Sequence, residues 1–219
     1  MGRYMTALIL AMSLQVASVH AADWPQFRGP NRDGKSPETG LVKQWPAAGP
    51  GLIGTISGVG GGFSSPAVAG ECIYITGKVG DDLKIFCFDG SGKKIWERTH
   101  ASAFGEANAP HSPYPGARAT PTIDGDMIYL LGGLGRLTAY RTSDGEPVWS
   151  VDVVGELGGR VPPWGYAESV LIDGEKLICT PGGEKTGTFA ALDKKSGRVL
   201  WRSSEVTERA EYSSPILIE

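Results

Sequence analysis

Residues 119–149 read A-T-P-T-I-D-G-D-M-I-Y-L-L-G-G-L-G-R-L-T-A-Y-R-T-S-D-G-E-P-V-W. Short runs rich in β-branched and aromatic residues alternate here with two Asp-Gly pairs and one glycine-rich turn. An Asp-Gly pair between such runs is a strong hairpin signal, because a type I′ turn needs a positive φ at both central positions. The stretch therefore predicts four consecutive strands, at residues 120–123, 127–131, 137–141 and 147–152.

The same pattern recurs on both sides of this stretch, which makes it one unit of a repeat. The units open at equivalent positions 55, 49 and 45 residues apart, namely Pro66, Pro121, Val170 and Pro215. A four-stranded unit with a period of roughly 40–50 residues is typical of a β-propeller blade. We predict an all-β fold: a β-propeller of four-stranded antiparallel blades, about three blades plus the start of a fourth. The predicted blades span about residues 63–100, 117–153 and 166–206, and the next starts at 211–219.

Each complete unit ends on a glycine turn that is followed four residues later by a tryptophan. The pairs are Gly92 and Trp96, Gly145 and Trp149, and Gly197 and Trp201. A single blade cannot bury both of its faces, so it must stack on its neighbours. We therefore expect these tryptophans to pack between blades rather than to form a cofactor site.

Residues 22–62, before the repeat, are dense in Pro, Gly, Asn and Asp, which opposes regular secondary structure. We predict an extended N-terminal arm. Its aromatic residues Trp24, Phe27 and Trp45 indicate that the arm lies against the propeller body.

Residues 1–21 carry the features of a secretory signal peptide. Arg3 is followed by an apolar run over residues 7–17 and by a small-x-small pattern that ends at Ala21. We expect cleavage after Ala21 and export to the periplasm or the extracellular space. No cysteine lies near the cleavage position, so no lipid anchor is expected.

Composition and charge exclude several classes of function. The formal net charge of -3 disfavours a nucleic-acid-binding protein, which needs clustered Lys and Arg. After the leader, no apolar stretch approaches the about 18 residues of a membrane-spanning helix.

The sequence contains three cysteines. Cys72 and Cys87 fall on neighbouring predicted strands, roughly opposite each other, and Cys179 stands alone. Two small core residues are favoured over a disulfide for the pair. The absence of a Cys-x-x-Cys motif leaves a zinc site unsupported.

A family resemblance rests on the last turn and strand of each unit. Residues 190–201 read A-A-L-D-K-K-S-G-R-V-L-W, and this pattern resembles the pyrroloquinoline-quinone-type repeat of quinoprotein alcohol dehydrogenase-like propellers. The second unit departs from it, with Arg141 where Asp is usual. The arm motif W-P-Q-F-R-G-P-N-R-D-G at 24–34 and P-P-W-G-Y-A-E-S at 162–169 are similar to exported propellers of that superfamily. The fold also resembles the propeller lipoprotein of outer-membrane protein assembly.

The resemblance implies a closed ring with more blades than this chain supplies. An N-terminal strand often completes the last blade of such rings, and residues 52–56 are placed to do so, with Gly54 where the outer-strand tryptophan is expected. The chain is therefore expected to be an incomplete ring, as a fragment or a truncated product, with an open edge at its last strand.

Candidate site residues lie on one face of the predicted propeller, which we call the loop face. Because strand direction alternates, the predicted long inserts all fall on this face, at residues 77–82, 99–116, 132–136, 154–166 and 180–187. Rigid scaffolds carry function on such loops. Arg118 and Glu168 begin adjacent inner strands and are expected to face each other, with His111, Trp164 and Tyr166 nearby; these five residues are the ligand-binding candidates. For Arg118 and Glu168 themselves, a structural ion pair at the channel mouth is favoured over a ligand-binding role.

Two functions follow from these observations. The favoured one is an exported, non-catalytic propeller that binds a protein, peptide or glycan on its loop face, without a cofactor or metal. The alternative, implied by the resemblance, is a quinoprotein dehydrogenase with pyrroloquinoline quinone and calcium on the propeller axis. The sequence lacks the adjacent cysteines and the clear Asn/Asp/Glu calcium set usual in that family. Fold alone does not decide between the two.

Overall fold

The computed structural model describes residues 22–105 and 114–218, which form twelve β-strands. In chain order these are β1 Ala67–Ala69, β2 Cys72–Val79, β3 Asp82–Asp89, β4 Lys94–Ser102, β5 Thr122–Asp124, β6 Met127–Leu131, β7 Arg136–Arg141, β8 Pro147–Asp152, β9 Leu171–Asp173, β10 Lys176–Cys179, β11 Ala190–Asp193 and β12 Val199–Arg202. The predicted leader, residues 1–21, lies outside the described residues. Within the described ranges there is no helix with the length and hydropathy needed to cross a membrane.

The strands form three separate four-stranded antiparallel sheets, each in sequence order. The innermost strand of the middle sheet, β5, contacts both β1 and β9, so the three sheets are adjacent blades with their inner strands side by side. The predicted all-β, blade-built and incomplete propeller is confirmed.

The tryptophans of the first two blades pack on the last turn of the next blade. The Trp96 indole lies on Gly145 and donates from Nε1 to the Thr142 carbonyl at 3.0 Å. Trp149 lies on Gly197 in the same way and donates to the Lys194 carbonyl at 2.9 Å. A Cβ at Gly145 would lie 2.6 Å from the Trp96 ring, and the φ of 69° also favours glycine.

The equivalent position on the first blade is filled by the arm. The Ile56 side chain packs on Gly92 of the last turn, 3.2 Å from where a Cβ would be. Trp96 packs on Gly145 of the next blade in the same way. The sequence placed Gly54 at this position, which is wrong by two residues, because the segment approaches the blade without forming a strand. Trp201 of the third blade is 45% exposed.

A ladder of hydroxyl groups connects the starts of the inner strands. The backbone N–H of Ser65 donates to Thr120 Oγ1 at 3.2 Å, that of Thr120 to Ser169 Oγ at 2.9 Å, and that of Ser169 to Ser214 Oγ at 2.9 Å. These four residues occupy the same position in successive units, immediately before Pro66, Pro121, Val170 and Pro215. The ladder therefore fixes the register of each blade against the next.

One of the predicted long inserts forms strand instead of a loop. Residues 77–82 were predicted as a loop, but β2 and β3 pair up to Val79 and Asp82 and leave a two-residue turn. Gly77 lets the arm pack closely against this part of β2, because a Cβ there would lie 1.6 Å from the Val59 carbonyl oxygen. The longer hairpin also corrects the cysteine register: Cys87 lies opposite Tyr74 and Cys72 opposite Asp89, and both thiols are free.

The arm crosses the inner strands of all three blades. Trp24 exchanges two backbone hydrogen bonds with Val68, at 2.8 and 2.9 Å, and the Pro25 carbonyl accepts from the Ile123 N–H at 2.8 Å. Arg32 then reaches the start of β9. Trp45, in contrast, is 63% exposed, so the prediction that it lies against the body is wrong.

Candidate functional site

The structure divides the predicted site residues between two places. Arg118 and Trp164 lie near the starts of the inner strands and are partly or largely exposed, whereas Glu168 and Tyr166 are buried. His111 lies outside the described residues. The predicted contact between Arg118 and Glu168 is absent, and Glu168 faces Arg32 of the arm instead.

The hydroxyl ladder explains why Arg118 and Glu168 separate. Arg118 is two residues before its ladder residue, Thr120, whereas Glu168 is one residue before Ser169. Successive side chains of an extended chain point to opposite faces, so the two residues point in different directions. Phe63 and Tyr212 occupy the position equivalent to that of Arg118, and they lie near it in the structure.

Arg118 is half-buried among aromatic rings. Its guanidinium carbon lies 5.1 Å from the ring centroid of Phe104 and 6.0 Å from that of Phe63. Its Nη2 donates to the Tyr114 carbonyl, and its Nε is enclosed with no hydrogen-bond partner among the described residues. Burial lowers the pKa of Arg118, and the nearby Tyr212 phenol opposes that shift.

Further aromatic residues extend this surface to solvent. Phe63 and Tyr114 meet edge to face with centroids 5.7 Å apart, and Trp164 and Tyr212 meet at 5.2 Å with a tilt of 34°. Phe63 is 60% exposed, and Tyr114 and Trp164 are each 49% exposed. We refer to Phe63, Tyr114, Arg118, Trp164 and Tyr212 as the mouth cluster. It combines one cation with an exposed aromatic surface.

Glu168 lies inside the third blade and is fully bonded there. Its Oε1 accepts from the Thr180 N–H at 2.7 Å and its Oε2 from the Thr180 hydroxyl. Burial raises the pKa of Glu168 to about 7, while the Thr180 hydrogen bonds and the charge of Arg32 oppose the rise. The prediction that Glu168 lines an open ligand site is therefore wrong.

Arg32 is a buried residue that the sequence did not single out. It is 5% exposed, and its guanidinium donates to the carbonyls of Ser169 at 2.5 Å and Val170 at 2.8 Å and to Gln26 Oε1 at 3.0 Å. Burial lowers its pKa to about 10, which leaves it charged at neutral pH. We refer to Gln26, Arg32, Glu168 and Thr180 as the arm seat. The motif around Arg32 has no periodicity, so nothing in the sequence indicated which of its side chains would be buried.

Tyr166 also has a structural position. Its hydroxyl donates to the Pro181 carbonyl at 2.9 Å, its backbone N–H donates to Gly133, and the ring is 1% exposed. It therefore fastens the 154–166 connection to the third blade, and it is not available to a ligand.

The described starts of the inner strands offer no calcium ligand set. The positions that begin the inner strands mostly carry small side chains, namely Ser64, Ser65, Ala119, Thr120, Ser169, Ser213 and Ser214. The one carboxylate among them, Glu168, is enclosed by Thr180, and the arm with Arg32 crosses the same strands. Among residues 22–105 and 114–218, no three His, Cys, Asp or Glu side chains converge as metal ligands.

Comparison with known proteins bears on the family and the fold. The family model described as outer membrane protein assembly factor BamB matches residues 81–218, more than half of the chain. Among curated proteins, none matches the sequence.

Several solved structures resemble the chain at low sequence identity. Quinohemoprotein alcohol dehydrogenase from Comamonas testosteroni is 19% identical with a TM-score of 0.57, over 82% of this chain and 26% of that one. The computationally designed Ika4 protein is 10% identical with a TM-score of 0.51, over 78% of this chain and 88% of that one. BamB from Moraxella catarrhalis is 15% identical with a TM-score of 0.40, over 67% of this chain and 53% of that one. The first two similarities show a shared fold, and this chain spans about a quarter of the dehydrogenase, 26% of its length.

Proposed function

The chain belongs to the family described as outer membrane protein assembly factor BamB, and from that premise we propose that it is an exported, non-catalytic propeller that binds a protein partner through its loop face. The mouth cluster is the centre of the proposed interface. The described blades act as a rigid frame that holds its five side chains in place.

The composition and exposure of the mouth cluster carry this proposal. Trp, Tyr and Arg are the residues most enriched among the side chains that dominate binding energy at protein interfaces. Here three aromatic side chains, Phe63, Tyr114 and Trp164, are each about half exposed or more, at 60, 49 and 49%, around one arginine. A monomeric surface rarely gathers such residues without a binding function.

Site-specific photo-cross-linking tests the proposed face. A photoreactive phenylalanine analogue is introduced at Trp164 and, as the matched control, at Val148 on the outer strand β8, which is 47% exposed compared with 49% for Trp164. In cells that produce the protein, we expect a discrete cross-linked protein product from position 164 and none from position 148. Equal yields at the two positions, or no product at 164, would contradict the proposal.

Export is part of the same proposal and has its own test. The mass of the protein recovered from the cell envelope fraction is expected to correspond to a chain that starts at Ala22. Recovery of the chain from the cytosol with residues 1–21 retained would count against export.

The dehydrogenase alternative is tested by adding pyrroloquinoline quinone and Ca²⁺ to the purified chain. We expect no chromophore to be retained after gel filtration and no alcohol-dependent reduction of a dye. A bound quinone that supports turnover would replace the proposed binding function with catalysis.

A further inference from the structure

Among residues 22–105 and 114–218, no carboxylate pairs with the charge of Arg118. Three other arginines of the chain are paired with carboxylates although they are well exposed: Arg98 with Glu146 and Arg141 with Asp144, at 2.9 and 2.7 Å, and Arg209 with Glu184 at 2.9 Å. Arg118 is less exposed than Arg209, yet it forms no ion pair with any carboxylate of the described residues.

Partial burial of a cation without a partner opposes folding, because the desolvation is not compensated. The neighbouring Phe104 and Phe63 rings compensate only in part, through cation–π attraction at 5.1 and 6.0 Å. A ligand that brings a carboxylate would recover the missing interaction.

Within the described residues, the guanidinium also retains donors without a partner. Only Nη2 donates, to the Tyr114 carbonyl, whereas Nε and Nη1 have no hydrogen-bond partner among the described residues. The planar guanidinium suits a carboxylate, and surrounding rings strengthen the pair by lowering the local dielectric. Because Nε is enclosed, Nη1 is the nitrogen that a carboxylate reaches.

The neighbours of Arg118 define what must accompany that carboxylate. Trp164 and Tyr212 present a tilted aromatic pair on one side, and Phe63 and Tyr114 present an edge-to-face pair on the other. The mouth cluster contains one cation and no lysine, and the chain carries a net charge of -3. This charge distribution suits a single carboxylate and opposes a polyanion such as a nucleic acid.

We infer that the mouth cluster recognises a protein segment in which one carboxylate lies next to aromatic side chains, and that Arg118 pairs with that carboxylate. The inference rests on the proposed function and specifies the chemistry of the partner. The carboxylate comes from an acidic side chain or from the end of a chain.

The test uses the whole chain labelled with ¹⁵N, and it follows the Nε–Hε signals of its arginines during titration with short peptides. The first probe is acetyl-Gly-Phe-Asp-Phe-Gly-amide, and the matched probe has Asn in place of Asp. A third peptide, acetyl-Gly-Phe-Gly-Phe with a free terminal carboxylate, distinguishes a chain end from a side chain. The signal that disappears in Arg118→Lys identifies Arg118.

We expect the Asp probe or the free-carboxylate probe to shift the Arg118 signal and to bind at least tenfold more tightly than the Asn probe. Arg118→Gln should lose this preference, whereas Arg136→Gln, at an exposed arginine of β7, should keep it. A melting curve of each variant shows that it is folded.

Three results would overturn the inference: affinities of both carboxylate probes equal to that of the Asn probe, no binding of any peptide at millimolar concentration, or a shift of the Arg118 signal by tri-galacturonate, a glycan that carries carboxylates, and by no peptide. The cross-linking experiment at Trp164 separates this failure from failure of the proposed function. If position 164 still forms the cross-linked product and Arg118→Gln leaves its yield unchanged, the proposed protein interface stands. Recognition of a carboxylate by Arg118 is then wrong.

Discussion

Arg32 is buried and Arg118 is half-buried, but the groups that surround the two guanidinium ions differ. Arg32, in the arm seat, donates to two carbonyls and to Gln26 and faces the buried Glu168. Arg118, in the mouth cluster, donates to one carbonyl and is otherwise surrounded by aromatic rings. The Nε of each arginine has no hydrogen-bond partner among the described residues, but both terminal nitrogens of Arg32 donate within the chain, which stabilises the fold. A charge whose donors are left free, beside exposed aromatic residues, is suited to a partner.

The largest expected loss of stability comes from replacing Arg32 with Met. Arg32→Met should lower the free energy of unfolding by about 3–5 kcal/mol, because it leaves two buried backbone carbonyls without donors and removes the positive charge that acts on buried Glu168. Arg28→Met is the matched control on the arm, since Arg28 is exposed and also has a positive φ, 64° compared with 55° for Arg32. The control should change stability by less than about 0.5 kcal/mol in urea denaturation. Similar losses in the two variants would show that Arg32 is not a structural cation.

A pH series on Glu168→Gln examines a second member of the arm seat. The unfolded value is 4.5 and burial raises the folded pKa of Glu168 to about 7, so the folded chain binds more protons between these values. Glu168 therefore makes stability fall as the pH rises from 4.5 to 7, by up to about 3 kcal/mol, and the effect levels off above that window.

The titration of His100 changes the unfolding free energy with pH in the opposite direction, so its contribution must be separated from that of Glu168. Its ring accepts from the Tyr140 hydroxyl and donates to the Arg136 carbonyl, and burial lowers its pKa from 6.5 to about 4. Stability gained from His100 thus rises with pH between those values. The measurement is the difference in unfolding free energy between the natural chain and Glu168→Gln at each pH. A difference that does not change between pH 4.5 and 7 would contradict the buried, shifted carboxylate.

Much of the architecture was predictable because it repeats. The strands, the glycine turns and the tryptophans recur in each unit, so each copy supports the interpretation of the others. The arm occurs once and has no period, and burial of Arg32 depends on where the whole arm crosses β1, β5 and β9. The separation of Arg118 from Glu168 was also available from the sequence, because alignment on Thr120 and Ser169 places the two residues one position apart. The predicted pairing considered the strands as neighbours and did not consider the alternation of side chains within them.

A smaller effect is expected from Thr180→Val, which keeps the shape of the side chain and removes one donor to Glu168. The loss should be about 1–2 kcal/mol at pH 8, where the carboxylate is charged, and smaller at pH 5, where it is protonated. Because a hydrogen bond to the charged form is removed, the pKa of Glu168 should also rise. Urea denaturation at the two pH values measures the first effect. An equal loss at both would mean that Thr180 acts by packing alone.

The smallest stability effect is expected at the mouth cluster. Arg118→Met should change the unfolding free energy by no more than about 1 kcal/mol, because the side chain is half exposed and Met retains contact with Phe104. The same variant should reduce the cross-linked product formed through Trp164. A loss of stability as large as that of Arg32→Met would remove the distinction between the two arginines.

The most direct test is a double-mutant cycle between Arg118 and the acidic peptide probe. The affinities of the natural chain and of Arg118→Gln are measured by calorimetry for the Asn probe and for whichever of the two carboxylate probes binds more tightly. Pairing of the guanidinium with the carboxylate predicts a coupling free energy of about 1.5–3 kcal/mol. A coupling free energy near zero would show that Arg118 and the carboxylate do not meet, and it would contradict the account of the mouth cluster as a recognition site.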